Sequence, residues 1–331
     1  MKFVFEAFLL SLFISIILLI WGVEYIKYIS NFVYEFRTSN RKEFLSCVFK
    51  DSCEALFEKF KNSPIRRGCI ALGKVYNNKH TKFLCKNMKK NTVLNTYSAS
   101  KWVSSALIWK YAQYLGLGYN VSVQELDSEW SRNLNRELKL SDLVGLKSGL
   151  ECQTIETNPK FVNEPGIVFE YCGESFTIAF DILARYTNTT FDDLLRTTLF
   201  EGMTFESLLF PNNKRLDVSL RTSIYHYSIF LEALTNQSLI KQPLLDFMHH
   251  DIIEIDDGES YIGYAQGNWK EVGNISSSRG TGGFVPWWNH NDNYFGIIAI
   301  DYVADYVTGP CFVLFLLLLL LLSIRYPIKK S

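Results

Sequence analysis

Residues Tyr97 to Tyr111 read YSASKWVSSALIWKY, with a lysine three residues after a serine and no other charge for the next eight residues. On a helix, residues three apart share a face, so the ammonium of Lys101 can reach the hydroxyl of Ser98. Burial and the positive end of a helix both disfavour an ammonium. A lysine held neutral in that way is a general base beside a nucleophile. The spacing alone is weak, because Ser39–Lys42 and Ser238–Lys241 repeat it. Only at 98–101 does an uncharged stretch follow that is long enough for a buried helix. The plainer reading is an exposed first-turn lysine beside a helix-capping serine, so the rest of the chain has to decide.

Several elements must hold that pair. Asn95 to Leu117 reads as a helix, with Thr96 or Tyr97 near its start and Gly116 and Gly118 beyond its end. Before it, CIALGKVYNNKHTKFLC has alternating character, a turn-prone Asn77-Asn78, and a cysteine at each end, Cys69 and Cys85. A hairpin there sets the two sulfurs on facing strands and predicts a cross-strand disulfide. Residues 138–151 read as a short helix closed by Gly149, residues 169–203 as two helices, and residues 220–250 as another pair. From Tyr261 the segments YIGYAQGNW, RGTGGFVPWWN and FGIIAIDYV are short, aromatic or β-branched and broken by glycine, as strands are. Strands at both ends of a helical middle predict an α+β fold. Its antiparallel sheet, joining the first hairpin to the last strands, is flanked by helices and accompanied by an all-helical subdomain.

The order and spacing of these segments resemble the penicillin-binding-protein and class C β-lactamase superfamily of serine hydrolases. YSASKWVSSALI is similar to its first motif, whose serine is acylated and whose lysine is the base. LKLSDLVGLKSGLE resembles the segment that typically carries threonine-serine-glycine-leucine. PGIVFEYCGESFTIAF resembles the region of the second motif, Tyr-x-Asn, and implies Tyr171 as the catalytic tyrosine. SSSRGTGGFVPWW followed by YFGIIAI resembles the third-motif strand, Lys- or His-Thr-Gly, and the closing strand. The resemblance covers about 65–303. It implies Ser98, Lys101 and Tyr171 as catalytic residues, with the backbone N–H groups of Ser98 and Gly283 as an oxyanion hole and Thr281 and Gly282 beside the substrate. Two positions depart from the pattern: Gly173 stands where the family has asparagine, and Gly280 where it has the cation. Arg279 is next to that position, but neighbours on a strand point to opposite faces. A site without the cation should bind a substrate carboxylate poorly, which leaves neutral esters or amides less affected than penicillin-like substrates.

The chain of 331 residues carries 34 basic and 34 acidic side chains, so no strong field favours nucleic acid. Its ends differ from its middle. Ala7 to Val23 is a run of 17 uncharged residues and Tyr306 to Ile324 a run of 19, including Leu316–Leu322. Each approaches the length needed to cross a bilayer. The sequence therefore predicts a signal anchor over 1–24, a helical linker over 25–64, a β-lactamase-like domain over 65–305, a transmembrane helix over 306–324 and a short basic tail over 325–331. The tail carries Arg325, Lys329 and Lys330, which prefer the cytoplasmic face, so the catalytic domain is expected outside the cytosol. Six of the seven cysteines (Cys47, Cys53, Cys69, Cys85, Cys152, Cys172) lie between the two runs, an even number suited to disulfides. Sequons at Asn120, Asn188, Asn236 and Asn274 are compatible with a glycoprotein.

No ligand cluster among the five histidines, His80, His226, His249, His250 and His290, suggests a metal, and no cofactor is expected. WWNHNDN, which sets His290 near Asp292, reads as a polar turn, and His249-His250 as a helix end. GTGG lacks the lysine and following helix of a phosphate loop. Two functions stay open. One is a membrane-tethered serine hydrolase acting through an acyl-enzyme on a small-molecule or peptide ester or amide. The other is a catalytically inactive relative serving as a binding or scaffolding ectodomain.

Overall fold

The computed structural model describes residues 35–50, 52–75, 81–190, 215–255 and 261–301, with Tyr28, Asn31 and Asp193 beside them. The apolar runs at 7–23 and 306–324 lie outside the described residues, as does the Asn77-Asn78 turn. Among the described residues no helix is long and apolar enough to cross a membrane.

The first described helices, α1 (Arg41–Lys50) and α2 (Glu54–Lys61), lead into strands β1 (Gly68–Lys74) and β2 (Lys82–Lys86). A short strand β3 (Val93–Asn95) precedes the central helix α3 (Ser100–Tyr114). The helical middle contains α4 (Val123–Leu126), α5 (Leu140–Val144) and α6 (Glu174–Tyr186). After it come β4 (Arg221–Ser223), α7 (Ile224–Thr235), α8 (Leu244–His250) and β5 (Ile253–Glu254). The chain then returns to the sheet with β6 (Tyr261–Tyr264), β7 (Trp269–Glu271), β8 (Ile275–Ser277), β9 (Phe284–Asn289) and β10 (Tyr294–Ile300). These form an eight-stranded sheet in the order β2-β1-β10-β9-β8-β7-β6-β5, and β3 pairs separately with β4. Every described pairing is antiparallel, as the sequence predicts. The N-terminal hairpin does join the closing strand β10.

Strand β1, GCIALGK, is buried at every residue but Lys74. That continuous burial requires cover on both faces of the sheet. Cys69 and Ala71 face the main core with Trp102, Phe180 and Phe230, while Ile70 and Leu72 face a second cluster with Phe44, Leu56, Phe60 and Trp287. Helices α1 and α2 supply the second cluster. The described helices α1 and α2 of the segment read from the sequence as a helical linker over 25–64 therefore pack onto the sheet.

Three disulfides pair all six cysteines: Cys47–Cys53, Cys69–Cys85 and Cys152–Cys172. Cys69 stands directly opposite Cys85 in the β1–β2 ladder, the register the sequence predicts. The second helix expected within 169–203 falls largely outside the described residues. The helix expected to close at Gly149 ends instead at Gly145.

Between the sheet and α8 lies a buried polar knot. The Ser276 hydroxyl is 2.9 Å from Lys270 Nζ, 3.1 Å from His249 Nδ1 and 2.9 Å from His290 Nε2. Burial lowers the Lys270 amine from 10.5 to about 8. Burial and the neighbouring amine also push His290 down to about 3, so the fold disfavours the charged form of both groups. For Lys270 the unfolded chain binds the extra proton between pH 8 and 10.5, so its burial costs stability below pH 8 and the cost fades as pH rises. The difference corresponds to about 3 kcal/mol. Lys270→Met should therefore be the more stable protein at pH 7, and urea unfolding should show its advantage shrinking towards pH 10. Equal stability of the two proteins at both pH values would remove the buried charge as a liability.

Candidate active site

The site is built around the first turn of α3. Residues Tyr97–Ala99 form a 3-10 turn that runs straight into the helix. Tyr97 has φ +49°, in the left-handed region that non-glycine residues rarely occupy. Such strain persists only where the surroundings over-determine it. Here they do so through hydrogen bonds: Ser100 Oγ donates to Tyr97 O at 2.6 Å, Tyr227 Oη donates to Ala99 O at 2.8 Å, and Ser278 Oγ donates to Ser98 O at 3.1 Å.

The serines that make this helix uncharged have a second use. Residues 215–220 lie along α3 as a strap. Ser104 Oγ donates to Leu216 O at 2.6 Å, Lys101 Nζ to Asp217 O at 3.1 Å, and Leu220 N–H to Ser100 Oγ at 3.1 Å. Thr96 N–H adds a bond to Leu220 O at 3.0 Å. These short side chains satisfy the strap's backbone groups inside the protein, where an unpaired group is costly.

Lys101 is only 2% exposed. Its Nζ lies 3.3 Å from Ser98 Oγ and 3.6 Å from Asp217 Oδ2. It also sits over the face of Tyr171, 4.6 Å from the ring centroid, where the ring's quadrupole attracts a cation. Ser98 is half-buried, and its N–H makes no hydrogen bond among the described residues. That leaves one backbone donor for an oxyanion.

The structure brings Tyr171 to the site through its ring. The phenol makes no hydrogen bond to Ser98 or Lys101. The ring is 44% exposed and stacks on Trp269 at 5.8 Å, with Phe169 and Tyr264 completing an aromatic wall. The disulfide at Cys172 ties this loop to Cys152. Behind the wall the Tyr264 hydroxyl is buried and has no hydrogen-bond partner among the described residues. Burial, and after it Tyr171 and Asp217, pushes that phenol well above its usual range, so it stays protonated.

Gly173 shows why the second motif lacks its amide. A Cβ there would lie 2.0 Å from Asp217 Oδ2. The carboxylate of Asp217, reaching in from the strap, fills the space beside Lys101 that a side chain at 173 would need. Asp217 is held in turn by Arg215, with Nε donating to Oδ1 at 2.8 Å, and Arg215 pairs with Glu174 at 3.0 Å. Sequence reading missed Asp217 because it stands 116 residues from Lys101 in a segment without periodicity.

The third motif is displaced from its expected position. Residues Gly280 to Gly283 form the turn between β8 and β9, closed by Gly283 N–H donating to Gly280 O at 3.0 Å. Thr281 is exposed on that turn. Cβ atoms at Gly280 and Gly282 would meet Thr96 O at 2.1 Å and the Tyr97 ring at 2.2 Å, so the turn packs against the residues before Ser98. The N–H expected from Gly283 for the oxyanion is spent within its own turn. The residue of this segment that touches Ser98 is Ser278. Arg279, past the end of β8, turns its guanidinium to Glu271, with which it pairs at 3.0 Å.

The grouping of Cys152, Cys172 and Glu174 could hold a metal by proximity, but both sulfurs are consumed by the disulfide. His290 and His249 belong to the buried knot described above.

Neither a family model nor a curated protein sequence matches the chain. Solved structures do. Simvastatin synthase from Aspergillus terreus superposes with a TM-score of 0.62 at 14% identity, over 74% of this chain and 92% of that one. A β-lactamase from Mycobacterium bovis gives 0.57 at 12% identity, over 73% and 90%. D-amino acid amidase from Ochrobactrum anthropi, complexed with L-phenylalanine amide, gives 0.58 at 13% identity, over 76% and 92%. The chain thus has the β-lactamase-like fold that its motif order resembles.

Proposed function

We propose that this protein is a serine hydrolase that acts through an acyl-enzyme on a neutral ester or amide. The observation that carries this reading is the Lys101 amine, buried and 3.3 Å from the Ser98 hydroxyl. Ser98 Oγ attacks the substrate carbonyl while its proton passes to the Lys101 amine. The Ser98 N–H stabilises the oxyanion, and the lysine returns the proton to the departing alcohol or amine. Water then repeats the sequence on the ester of Ser98, releasing the acid. The cation that would bind a penicillin-like carboxylate has no counterpart among the described residues of this segment, since Gly280 has no side chain and Arg279 is turned to Glu271. The aromatic wall and the exposed Ile167 and Val168 beside it favour an apolar acyl group.

Membrane attachment belongs to the same proposal. The runs 7–23 and 306–324 would anchor the chain, and the three disulfides support a body held outside the cytosol. A second reading, the inactive binding ectodomain, draws support from Asp217, which occupies the lysine that chemistry needs.

A membrane-impermeant fluorophosphonate applied to intact cells separates the readings. Labelling that maps to Ser98 and disappears in Ser98→Ala supports an external hydrolase. Labelling only after permeabilisation removes the external placement. Folded protein that no acylating probe labels is the inactive relative.

A further inference from the structure

Gly173 and Asp217 fit each other as a cavity fits its filling. Residue 173 lacks every side-chain atom, and the nearest atom to a Cβ built there is the Asp217 carboxylate oxygen at 2.0 Å. That same oxygen is 3.6 Å from Lys101 Nζ, and both side chains are almost wholly buried. The carboxylate is fixed from behind by two Arg215 bonds, 2.8 Å to Oδ1 and 2.9 Å to Oδ2. The strap that carries it is tied to α3 at Ser104, Lys101 and Ser100. This amounts to a built partner for the lysine, delivered from a different part of the chain.

We infer that Asp217 is the positioning residue of Lys101, taking the place that a side chain at 173 would occupy and replacing a neutral amide with a charge. The inference rests on the serine hydrolase reading, which it deepens by giving the base a partner. A carboxylate at this distance stabilises the ammonium that forms when Ser98 gives up its proton. Removing the carboxylate removes that stabilisation, so a reaction that depends on Lys101 should respond in its pH profile. The groups facing Asp217 are Lys101 from α3, Arg215 on the strap with Glu174 of α6 behind it, Tyr171 on the tethered loop and Tyr264 of β6. Tyr264 stays neutral, and Arg215 is shared between Asp217 and Glu174. Lys101 is thus the cation on the Ser98 side of Asp217.

The test is the pH profile of kcat/KM for the full-length protein on p-nitrophenyl acetate, with Asp217→Asn as the isosteric change. The acid limb should move to lower pH by about one unit, so that the variant outpaces the wild type at the foot of the limb. A merely structural role lowers the melting temperature and the whole profile together and leaves the limb in place; that outcome overturns the inference. Gly173→Ala should mimic the shift, because its methyl group displaces the carboxylate. The double variant Gly173→Ala, Asp217→Asn should then show no further movement, whereas additive shifts would overturn the coupling. If the wild type hydrolyses nothing and accepts no acyl probe, the hydrolase reading falls by itself. Asp217 is still read in that case by NMR of 15Nζ-labelled lysine, with the Lys101 signal assigned through Lys101→Met. A lower titration midpoint in Asp217→Asn supports the pairing, and equal midpoints overturn it.

Discussion

Lys101→Met is expected to lower kcat/KM for ester hydrolysis by about a thousandfold or more, the range ascribed to a positioned general base. Methionine fills much of the buried volume but neither takes a proton nor answers the Asp217 carboxylate. Removing one partner of a buried ion pair leaves the other uncompensated, at a cost of up to about 3–5 kcal/mol. Arg215 remains on Asp217, so the loss should fall below that limit. Stability and chemistry can be separated with Lys101→Arg, which keeps the positive charge beside Asp217 but cannot give up its proton at working pH. Comparable stability with activity as low as in the methionine variant would show that the proton, and not the charge alone, is what Ser98 requires. Near-wild-type turnover in Lys101→Arg would take the lysine out of the proton path.

Gly280→Lys should abolish acylation without creating activity towards penicillin-like carboxylates. By string matching, position 280 is where a cation would complete the third motif. In the fold, its Cβ direction points at Thr96 O, 2.1 Å away, and that oxygen is backbone, two residues before Ser98. Backbone cannot swing aside as a flexible side chain can, so the added carbon has to push the β8–β9 turn off the Thr96–Tyr97 segment. Overpacking of this kind typically costs about 1–3 kcal/mol, and here the displaced atoms carry Ser98. The expected result is a lower melting temperature and loss of fluorophosphonate labelling, measured together. Hydrolysis of a chromogenic cephalosporin by Gly280→Lys would show instead that the turn supplies the substrate-facing strand after all.

The two cases differ in how much of the answer local sequence could contain. The Cys69–Cys85 bridge was legible because strand alternation and a central turn fix which residues stand opposite each other. The approach of Ser98 to Lys101 was legible for a similar reason, as helical spacing is a local property. Asp217 was not, because the strap comes to α3 through tertiary hydrogen bonds to serines that leave no periodic trace in RLDVSL. The glycine-rich string at 280–283 was misplaced because a motif read as letters has no register. Only the pairing of Ser277 with Trp287 and the Gly280–Phe284 bridge show where the strand ends and the turn begins. The N-terminal helices were seen as helices, but their apolar residues did not declare which surface they would cover.

Strand β8 also limits the shape of what can reach Ser98. It is flanked by β9 on one side and by β7 on the other, with Trp269 opposite Ser277 and Glu271 opposite Ile275. A guest polypeptide adds itself to a sheet only along an unpaired margin, and this margin is already taken up to Ser277 by the protein's own chain. Long extended donors are thereby shut out along most of the strand. A guest chain therefore finds no free β8 backbone to pair with before Ser278.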